Sequence, residues 1–216
     1  MKPRTMIGVP LLKAVGASQA NAAVYAPLLD TAVVVPGDPF YSITSQNGVA
    51  MLVAQLAHES GGFAAVVENL NYSVEALSSM SRFTKTQAKQ LGRSATQKAN
   101  QEAIANIMYG GRMGNVQAGD GWLFRGGGPL QLTGRSNYTA WGKAIGKTAE
   151  EAAEYVRTPE GGVSAALWFW RVNGLLVPAS RGDVSACTRI INGGYNGLAD
   201  RVARFKSALA FITGAT

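Results

Sequence analysis

The stretch that decides the fold of this chain is Val49-Ala50-Met51-Leu52-Val53-Ala54-Gln55-Leu56-Ala57-His58-Glu59-Ser60-Gly61-Gly62. Its apolar residues recur at helical spacing, which predicts a helix that runs into Glu59. We expect Gly61 and Gly62 to end this helix, because glycine readily adopts the left-handed conformation that follows helix C-termini. The sequence therefore places a carboxylate at the C-terminal edge of an apolar helix.

Helical patterns and capping signals continue along most of the chain. Thr84 with Gln87 and Thr148 with Glu151 have the spacing of capping boxes. Pro27 is expected to begin a helix, since proline suits the first helical turn. Strand signals are few, so the sequence predicts an all-α fold with little or no β structure.

Length and charge limit the possible functions. The chain has 216 residues, of which 47% are hydrophobic, and this suits a single domain over residues 1–216. A net charge of +7 favours an anionic partner. The cations are scattered, without the runs typical of nucleic-acid-binding arms, so we predict no nucleic-acid partner. No apolar run reaches membrane-spanning length, so stable membrane insertion is not expected.

Histidine and cysteine usage excludes several chemistries. His58 is the only histidine and Cys187 the only cysteine. The zinc motif HExxH needs a second histidine at position 62, which is Gly62. A Ser-His-Asp site would have to use His58, and no nucleophile motif accompanies it. We therefore predict no metal, no cofactor and no internal disulfide.

Two carboxylates are the minimum equipment for hydrolysis of a glycosidic bond. Glu59 is expected at the edge of the core, where partial desolvation favours the protonated state of a general acid. Glu68 follows nine positions later and is the candidate second carboxylate. Glu75 competes with it, but its place at a capped helix start explains an acid there by the helix dipole.

Glycine-rich loops supply the candidate substrate contacts. Gln131 and Thr133 follow three glycines, and in an extended segment both would point the same way. One side chain can then bond a sugar while the other holds a water. Asn192 lies in a glycine-rich join between the last two helices, where its amide suits an N-acetyl group. The aromatic residues near these loops that can stack on sugar rings include Tyr72, Trp122 and Tyr138.

Six sequence blocks occur in a fixed order along the chain. They are His58-Glu59-Ser60-Gly61-Gly62-Phe63, Glu68-Asn69-Leu70-Asn71-Tyr72-Ser73, Tyr109-Gly110-Gly111-Arg112-Met113-Gly114-Asn115, Gly119-Asp120-Gly121-Trp122, Gly128-Pro129-Leu130-Gln131-Leu132-Thr133-Gly134 and Ile190-Ile191-Asn192-Gly193-Gly194. Together these blocks resemble glycoside hydrolase family 19, and more narrowly its bacteriophage endolysin branch. The resemblance covers the chain from about Met6 to the C-terminus.

The resemblance implies a lysozyme-like helical fold with a cleft between two lobes, and hydrolysis with inversion. Glu59 matches the general acid, Glu68 the second carboxylate and Thr133 the hydroxyl residue that helps hold the attacking water. In the substrate-binding group, Gln131 and Asn192 match sugar-binding residues.

Arg201 is the remaining residue of the predicted substrate-binding group. The resemblance matches it to an arginine that tunes the acidic network of the active site.

The chain also departs from the family pattern. Plant chitinases place their second acid further along, near Ser81-Arg82 here, so the role of Glu68 follows the endolysin pattern only. Endolysins commonly carry Arg-Gly-Arg-Gly where this chain has Arg125 followed by three glycines.

These observations predict a monomeric, single-domain peptidoglycan hydrolase without a separate wall-binding domain. It would cleave the β-1,4 bond between N-acetylmuramic acid and N-acetylglucosamine and lyse bacterial cells. Lys2 and Arg4 precede an apolar run, but Pro10 and Lys13 interrupt it, which favours an ordinary first helix over a signal peptide. The enzyme would then be made in the host cytoplasm and reach the wall through a holin-type breach.

Three alternatives remain open at the level of sequence. A chitinase would use the same chemistry on N-acetylglucosamine polymers. A lytic transglycosylase needs one acid and releases 1,6-anhydro products. A non-catalytic wall-binding protein would use Gln131 and Asn192 and make Glu59 dispensable.

Overall fold

A computed structural model of the protein describes residues 6–35, 38 and 42–215, so Lys2 and Arg4 lie outside the described residues. Of the described residues, 59% are helical, and none of them forms a β-strand. The predicted all-α fold is therefore confirmed. The helices of the described ranges are α1 (Val9–Ala14), α2 (Gln19–Ala32), α3 (Gln46–Glu59), α4 (Val74–Ser78), α5 (Lys85–Leu91), α6 (Gln101–Tyr109), α7 (Asp120–Leu123), α8 (Arg135–Ala144), α9 (Ala149–Tyr155), α10 (Pro159–Val172), α11 (Leu176–Ser180), α12 (Val184–Asn192) and α13 (Leu198–Thr213).

The chain forms two compact units. Unit 1 comprises Met1–Val66, Gly128–Gln131 and Val156–Thr216, and unit 2 comprises Val67–Gly127 and Leu132–Tyr155. Unit 1 thus contains α1 to α3 and α10 to α13, whereas unit 2 contains α4 to α9. That the whole chain acts as one catalytic domain stays a prediction.

Helix α3 forms the centre of the core of unit 1. Every residue from Ala50 to Ala57 is fully buried, including Leu52 and Leu56. A helix that is apolar on all sides is stable only when other elements cover it, and α13 packs along it. Ser45 caps its N-terminus by accepting a hydrogen bond from the amide of Gly48 at 3.1 Å.

The end of α3 follows the sequence prediction. The helix stops at Glu59, and Gly61 and Gly62 adopt φ values of 57° and 75°. At Gly62 the need for glycine is also steric, because a Cβ atom would collide with the carbonyl oxygen of Gly16. Asn21 donates a hydrogen bond of 3.2 Å to the carbonyl of Gly62 and fixes the turn. The chain direction just beyond Glu59 is thereby fixed.

The predicted helix start at Pro27 is wrong. Helix α2 runs without interruption from Gln19 to Ala32 and contains Pro27 in its interior. The lost backbone bond is offset by burial, since Tyr25, Ala26 and Leu29 from the same helix all pack into the core.

Unit 2 has a small core of its own and depends on well-formed caps. Thr84 with Gln87, and Thr148 with Glu151, make both reciprocal bonds of a capping box, as predicted. The unit also contains a chain of contacting aromatic rings, formed by Phe124, Tyr138, Trp141 and Tyr155. The buried core residues beneath α4 to α6 are Leu70, Leu77, Phe83, Ala88, Ile104 and Ala105.

The extended pairings in the described ranges are isolated bridges. Gly127 pairs antiparallel with both Val67 and Leu132, and Ser73 pairs parallel with Arg93. None of the helices in the described ranges combines the length and apolar character that crossing a membrane requires.

Candidate active site

Glu59 is held by a buried arginine in unit 1. Its side chain is 20% exposed, and Nη2 of Arg201 forms an ion pair with its Oε1 atom. Arg201 comes from the first turns of α13, 142 residues away in sequence. The other carboxyl oxygen of Glu59 accepts no hydrogen bond from the described residues, so it remains available to a ligand.

Arg201 is fully buried, so the prediction that it contacts the substrate is wrong. Its three nitrogen groups are used internally. Besides Glu59, Nη1 bonds the side-chain oxygen of Gln55 and Nε bonds the carbonyl of Asn196 at 3.2 Å. Burial of a guanidinium is costly unless its donors are paired, and here each nitrogen has a partner. This contact with the acid agrees with the alternative role that the resemblance assigns to Arg201.

Gln55 extends this network into the core, and sequence reasoning missed it. Its amide nitrogen lies 3.4 Å from the hydroxyl of Thr188, which in turn donates to the carbonyl of Val184 at 2.7 Å. Gln55 and Thr188 are both fully buried. A polar Gln55 one helical turn before Glu59, in an otherwise apolar helix, is the signal that could have indicated a buried partner.

His58 belongs to a second polar cluster beside Glu59. Its Nδ1 atom lies 2.6 Å from Oδ2 of Asp200, which also accepts a bond from Nε of Arg204 at 2.6 Å. The Arg204 guanidinium and then His58 lower the pKa of Asp200 below its ordinary value. Gly197 packs against the imidazole so closely that a Cβ atom would overlap the ring. The cluster ties the start of α13 to the end of α3.

Glu68 is held in unit 2 by two uncharged donors. The hydroxyl of Tyr109 bonds its Oε1 atom, and the amide of Gly126 bonds its Oε2 atom at 2.9 Å. The backbone amide of Glu68 also donates to the carbonyl of Gly126 at 3.0 Å. Both carboxyl oxygens are therefore fixed while the side chain stays partly exposed.

Within unit 2, backbone pairing places Thr133 and Glu68 on either side of Gly126, with their side chains on the same face. Because Gly127 pairs with both Val67 and Leu132, Gly126 stands opposite Glu68 on one side and opposite Thr133 on the other. Directly opposite residues in antiparallel pairs project to the same face. Gly126, which lies between Glu68 and Thr133, carries no side chain and is itself buried.

Glu75 has a local structural explanation. It is exposed in the first turn of α4, whose N-cap is Ser73. Hydrogen bonds from its own backbone amide and then from Ser73 lower the pKa of Glu75. The geometry favours Glu68 over Glu75 as the second carboxylate.

Gln131 departs from the predicted extended conformation. Its φ is 53°, in the left-handed region that non-glycine residues rarely adopt. It lies in a tight turn, in which its backbone amide and its side-chain amide bond the carbonyl of Gly128 at 2.9 and 3.0 Å. Gln131 therefore does not form one extended row with Thr133, and its contact with a sugar stays a prediction.

The aromatic candidates differ in their exposure. Tyr138 is 1% exposed, and its hydroxyl bonds the carbonyls of Leu132 and Arg125. A ring in the core cannot stack on a sugar, so that prediction is wrong. Trp122 is partly exposed, with the guanidinium of Arg125 3.6 Å from its ring centroid. Tyr72 is also partly exposed, and the stacking roles of Trp122 and Tyr72 stay predictions.

Asn192 is the last residue of α12 and is exposed. Gly193 follows with a φ of 74° and ends the helix, which directs the chain into the loop before α13. Tyr195 in this loop is 57% exposed. The loop is thus open to solvent, and recognition of an N-acetyl group by Asn192 stays a prediction.

Comparison with protein-family models gives no match to the chain. Among curated proteins, a glycosyl hydrolase family 19 domain-containing protein of Haemophilus influenzae is 38% identical over 165 residues, which cover 74% of this chain and 78% of that protein. An endochitinase of Arabidopsis thaliana is 26% identical over 158 residues, or 73% of this chain and 43% of the plant protein.

Solved structures share the fold at low sequence identity. A bacterial family 19 chitinase superposes with a TM-score of 0.58 at 19% identity, covering 96% of this chain and 95% of that chain. A family 19 class IV chitinase from Zea mays gives a TM-score of 0.56 at 17% identity, covering 96% and 93%. These neighbours identify the helical, lysozyme-like fold that the motif blocks imply.

The family assignment rests on the Haemophilus relative, because the 38% identity holds over an alignment that covers most of both chains. The motif blocks at Glu59, Glu68 and Asn192 had pointed to the same family. The chain belongs to glycoside hydrolase family 19 and is a glycoside hydrolase.

Proposed function

We propose that this glycoside hydrolase cleaves peptidoglycan at the β-1,4 bond between N-acetylmuramic acid and N-acetylglucosamine, and that it does so with inversion. Glu59 protonates the oxygen of the scissile bond as it leaves. Glu68, helped by Thr133, removes a proton from the water that attacks the anomeric carbon from the opposite face. The reaction needs two carboxyl groups with different tasks and no cofactor.

The contacts of Glu59 carry this proposal. Arg201 occupies one carboxyl oxygen and fixes the side chain, whereas the second oxygen is free of bonds from the described residues. A general acid needs this combination, because the proton must leave from an oxygen that points at the substrate. The turn at Gly61 and Gly62 fixes the direction of the chain just beyond the acid.

Glu68 and Thr133 support the role of a base with a positioned water. Their side chains project to the same face on either side of Gly126, and both carboxyl oxygens of Glu68 are oriented by donors. Each carboxylate oxygen has about two lone pairs, so one donor on each still leaves a site for water. The threonine hydroxyl can accept or donate the second hydrogen bond of that water.

The charge distribution favours peptidoglycan over chitin. Between Ala76 and Gln101 the sequence has five cations and no acidic residue. Lys85, Lys89 and Lys98 from this segment are all exposed. Peptide stems give peptidoglycan negative charge whereas chitin is neutral, so a basic surface attracts the first polymer over long range.

The biological setting completes the proposal. The resemblance of the motif blocks to the endolysin branch supports a monomeric lytic enzyme that acts on the bacterial cell wall. The enzyme is made in the host cytoplasm and reaches the wall after a holin-type breach of the membrane.

Chitin hydrolysis is the second candidate, because chitinases are among the solved structures with this fold. Mass spectrometry of fragments from purified sacculi separates the candidates. Our proposal predicts reducing-end N-acetylmuramic acid. Fragments ending in 1,6-anhydro sugars would identify a transglycosylase, and turnover of chitin oligomers without cleavage of sacculi would identify a chitinase.

Glu59→Gln should lower turnover of peptidoglycan by roughly 10²- to 10⁴-fold, because the amide cannot donate the required proton. The amide oxygen can still accept the bond from Arg201, so the variant should fold, but its thermal unfolding temperature should be lower because the buried guanidinium loses its counter-charge. The measurement is the initial rate on purified sacculi. Glu102→Gln, an exposed acid in the first turn of α6, is the matched control. Substantial residual activity of Glu59→Gln would contradict the acid role.

The triple variant Lys85→Gln, Lys89→Gln, Lys98→Gln should bind sacculi about tenfold more weakly at low ionic strength, because it loses long-range attraction. Co-sedimentation across a salt series measures this effect, and the difference should vanish near ~1 M salt as screening becomes complete. The control variant Lys13→Gln, Lys143→Gln, Lys206→Gln removes the same charge from other exposed positions. Equal weakening in both variants would show that net charge alone matters.

A further inference from the structure

The hydroxyl of Tyr109 is the side-chain donor that bonds Glu68 directly. We propose that Tyr109 is a positioning residue of the reaction: its hydroxyl bonds one oxygen of the Glu68 carboxylate and orients that carboxylate for the attacking water. This inference rests on the proposed role of Glu68 as the base.

Each oxygen of the Glu68 carboxylate accepts a hydrogen bond from a different donor. Tyr109 holds Oε1 and the amide of Gly126 holds Oε2. Both donors are uncharged, in contrast to the guanidinium that holds Glu59. Hydrogen bonds to a carboxylate favour its ionised form. Because the Gly126 donor belongs to the backbone, Tyr109 is the donor that substitution can remove.

The position of Tyr109 is itself fixed. It is the last residue of α6, and the buried side chain of Asn115 donates to its carbonyl at 3.1 Å. The oxygen of the Asn115 side chain accepts the amide of Arg135 at 2.7 Å, which links the end of α6 to the start of α8. The phenol therefore reaches Glu68 from a braced backbone.

About one turn before Tyr109, close packing against α7 holds α6 in place. Gly121 in α7 lies against the backbone of Ala105 and Asn106, and a Cβ atom at Gly121 would collide with both. Asn106 also accepts the amide of Trp122 at 2.9 Å through its side chain. Because α6 cannot shift easily, a movement of this helix does not compensate for the loss of the Tyr109 hydroxyl.

Tyr109 remains a donor over the working range of pH. Burial, and then the hydrogen bond to Glu68, raise the pKa of its phenol well above the ordinary value of 10. The groups that face the phenol are Glu68 and Tyr72, which raise its pKa, and Arg112, which lowers it. The balance favours the neutral phenol, so Tyr109 donates its proton to a hydrogen bond and does not give it up.

The test is the pH profile of kcat/KM for Tyr109→Phe on soluble peptidoglycan fragments. Loss of one donor makes the base easier to protonate, so the acidic limb should move to higher pH by about half a unit to one unit. Activity on that limb then falls about three- to tenfold, while the alkaline limb stays in place. Replacement of Tyr109 by 3-fluorotyrosine, a stronger donor, should move the acidic limb to lower pH.

Tyr25→Phe is the matched control, because burial also raises the pKa of Tyr25 and its ring packs on Phe63 in unit 1. It should leave the acidic limb unchanged. An unshifted acidic limb in Tyr109→Phe, with or without a lower kcat, would overturn the inference. An equal shift in Tyr25→Phe would also overturn it.

Glu68→Gln separates this inference from the proposed function. If it is inactive and Tyr109→Phe does not shift the limb, the base stands and only the role of Tyr109 fails. If Glu68→Gln instead matches the wild type on sacculi, the base assignment fails, and Glu75→Gln then tests the competing acid. Circular dichroism spectra confirm that each variant is folded before its profile is compared.

Discussion

The buried guanidinium of Arg201 is the interaction on which the arrangement in unit 1 depends. This charge can be buried because Glu59, Gln55 and the carbonyl of Asn196 accept hydrogen bonds from its three nitrogen atoms. The same bonds hold α13 against the end of α3, where the chain must turn at Gly61 and Gly62. One cation therefore stabilises the core of unit 1 and fixes the direction of the acid.

The two carboxylates are held by different chemistry, and this difference suits their proposed tasks. Glu59 is anchored through one oxygen by a charged partner and keeps the other oxygen open. Glu68 is oriented through both oxygens by Tyr109 and Gly126, which are neutral. A positive partner can balance the charge that Glu59 acquires as it releases its proton. Neutral donors orient a carboxylate that must take a proton up.

Local signals predicted local structure well. The apolar run before Glu59, the glycine pair after it and the capping boxes at Thr84 and Thr148 all appear as expected, because each depends on residues within one or two helical turns. The partner of Glu59 is 142 residues away, and only the family resemblance pointed to it. Tyr138 and Gln131 were misjudged for the same reason, since burial of a ring and a left-handed turn depend on tertiary packing.

The central claim is that two carboxylates hydrolyse the bond with inversion at the anomeric carbon. Proton NMR of the first product, recorded before mutarotation, tests it most directly. From a β-linked substrate the account predicts that the α-anomer forms first and that the β-anomer grows in afterwards. Initial formation of the β-anomer would show retention and contradict the proposed roles of Glu59 and Glu68.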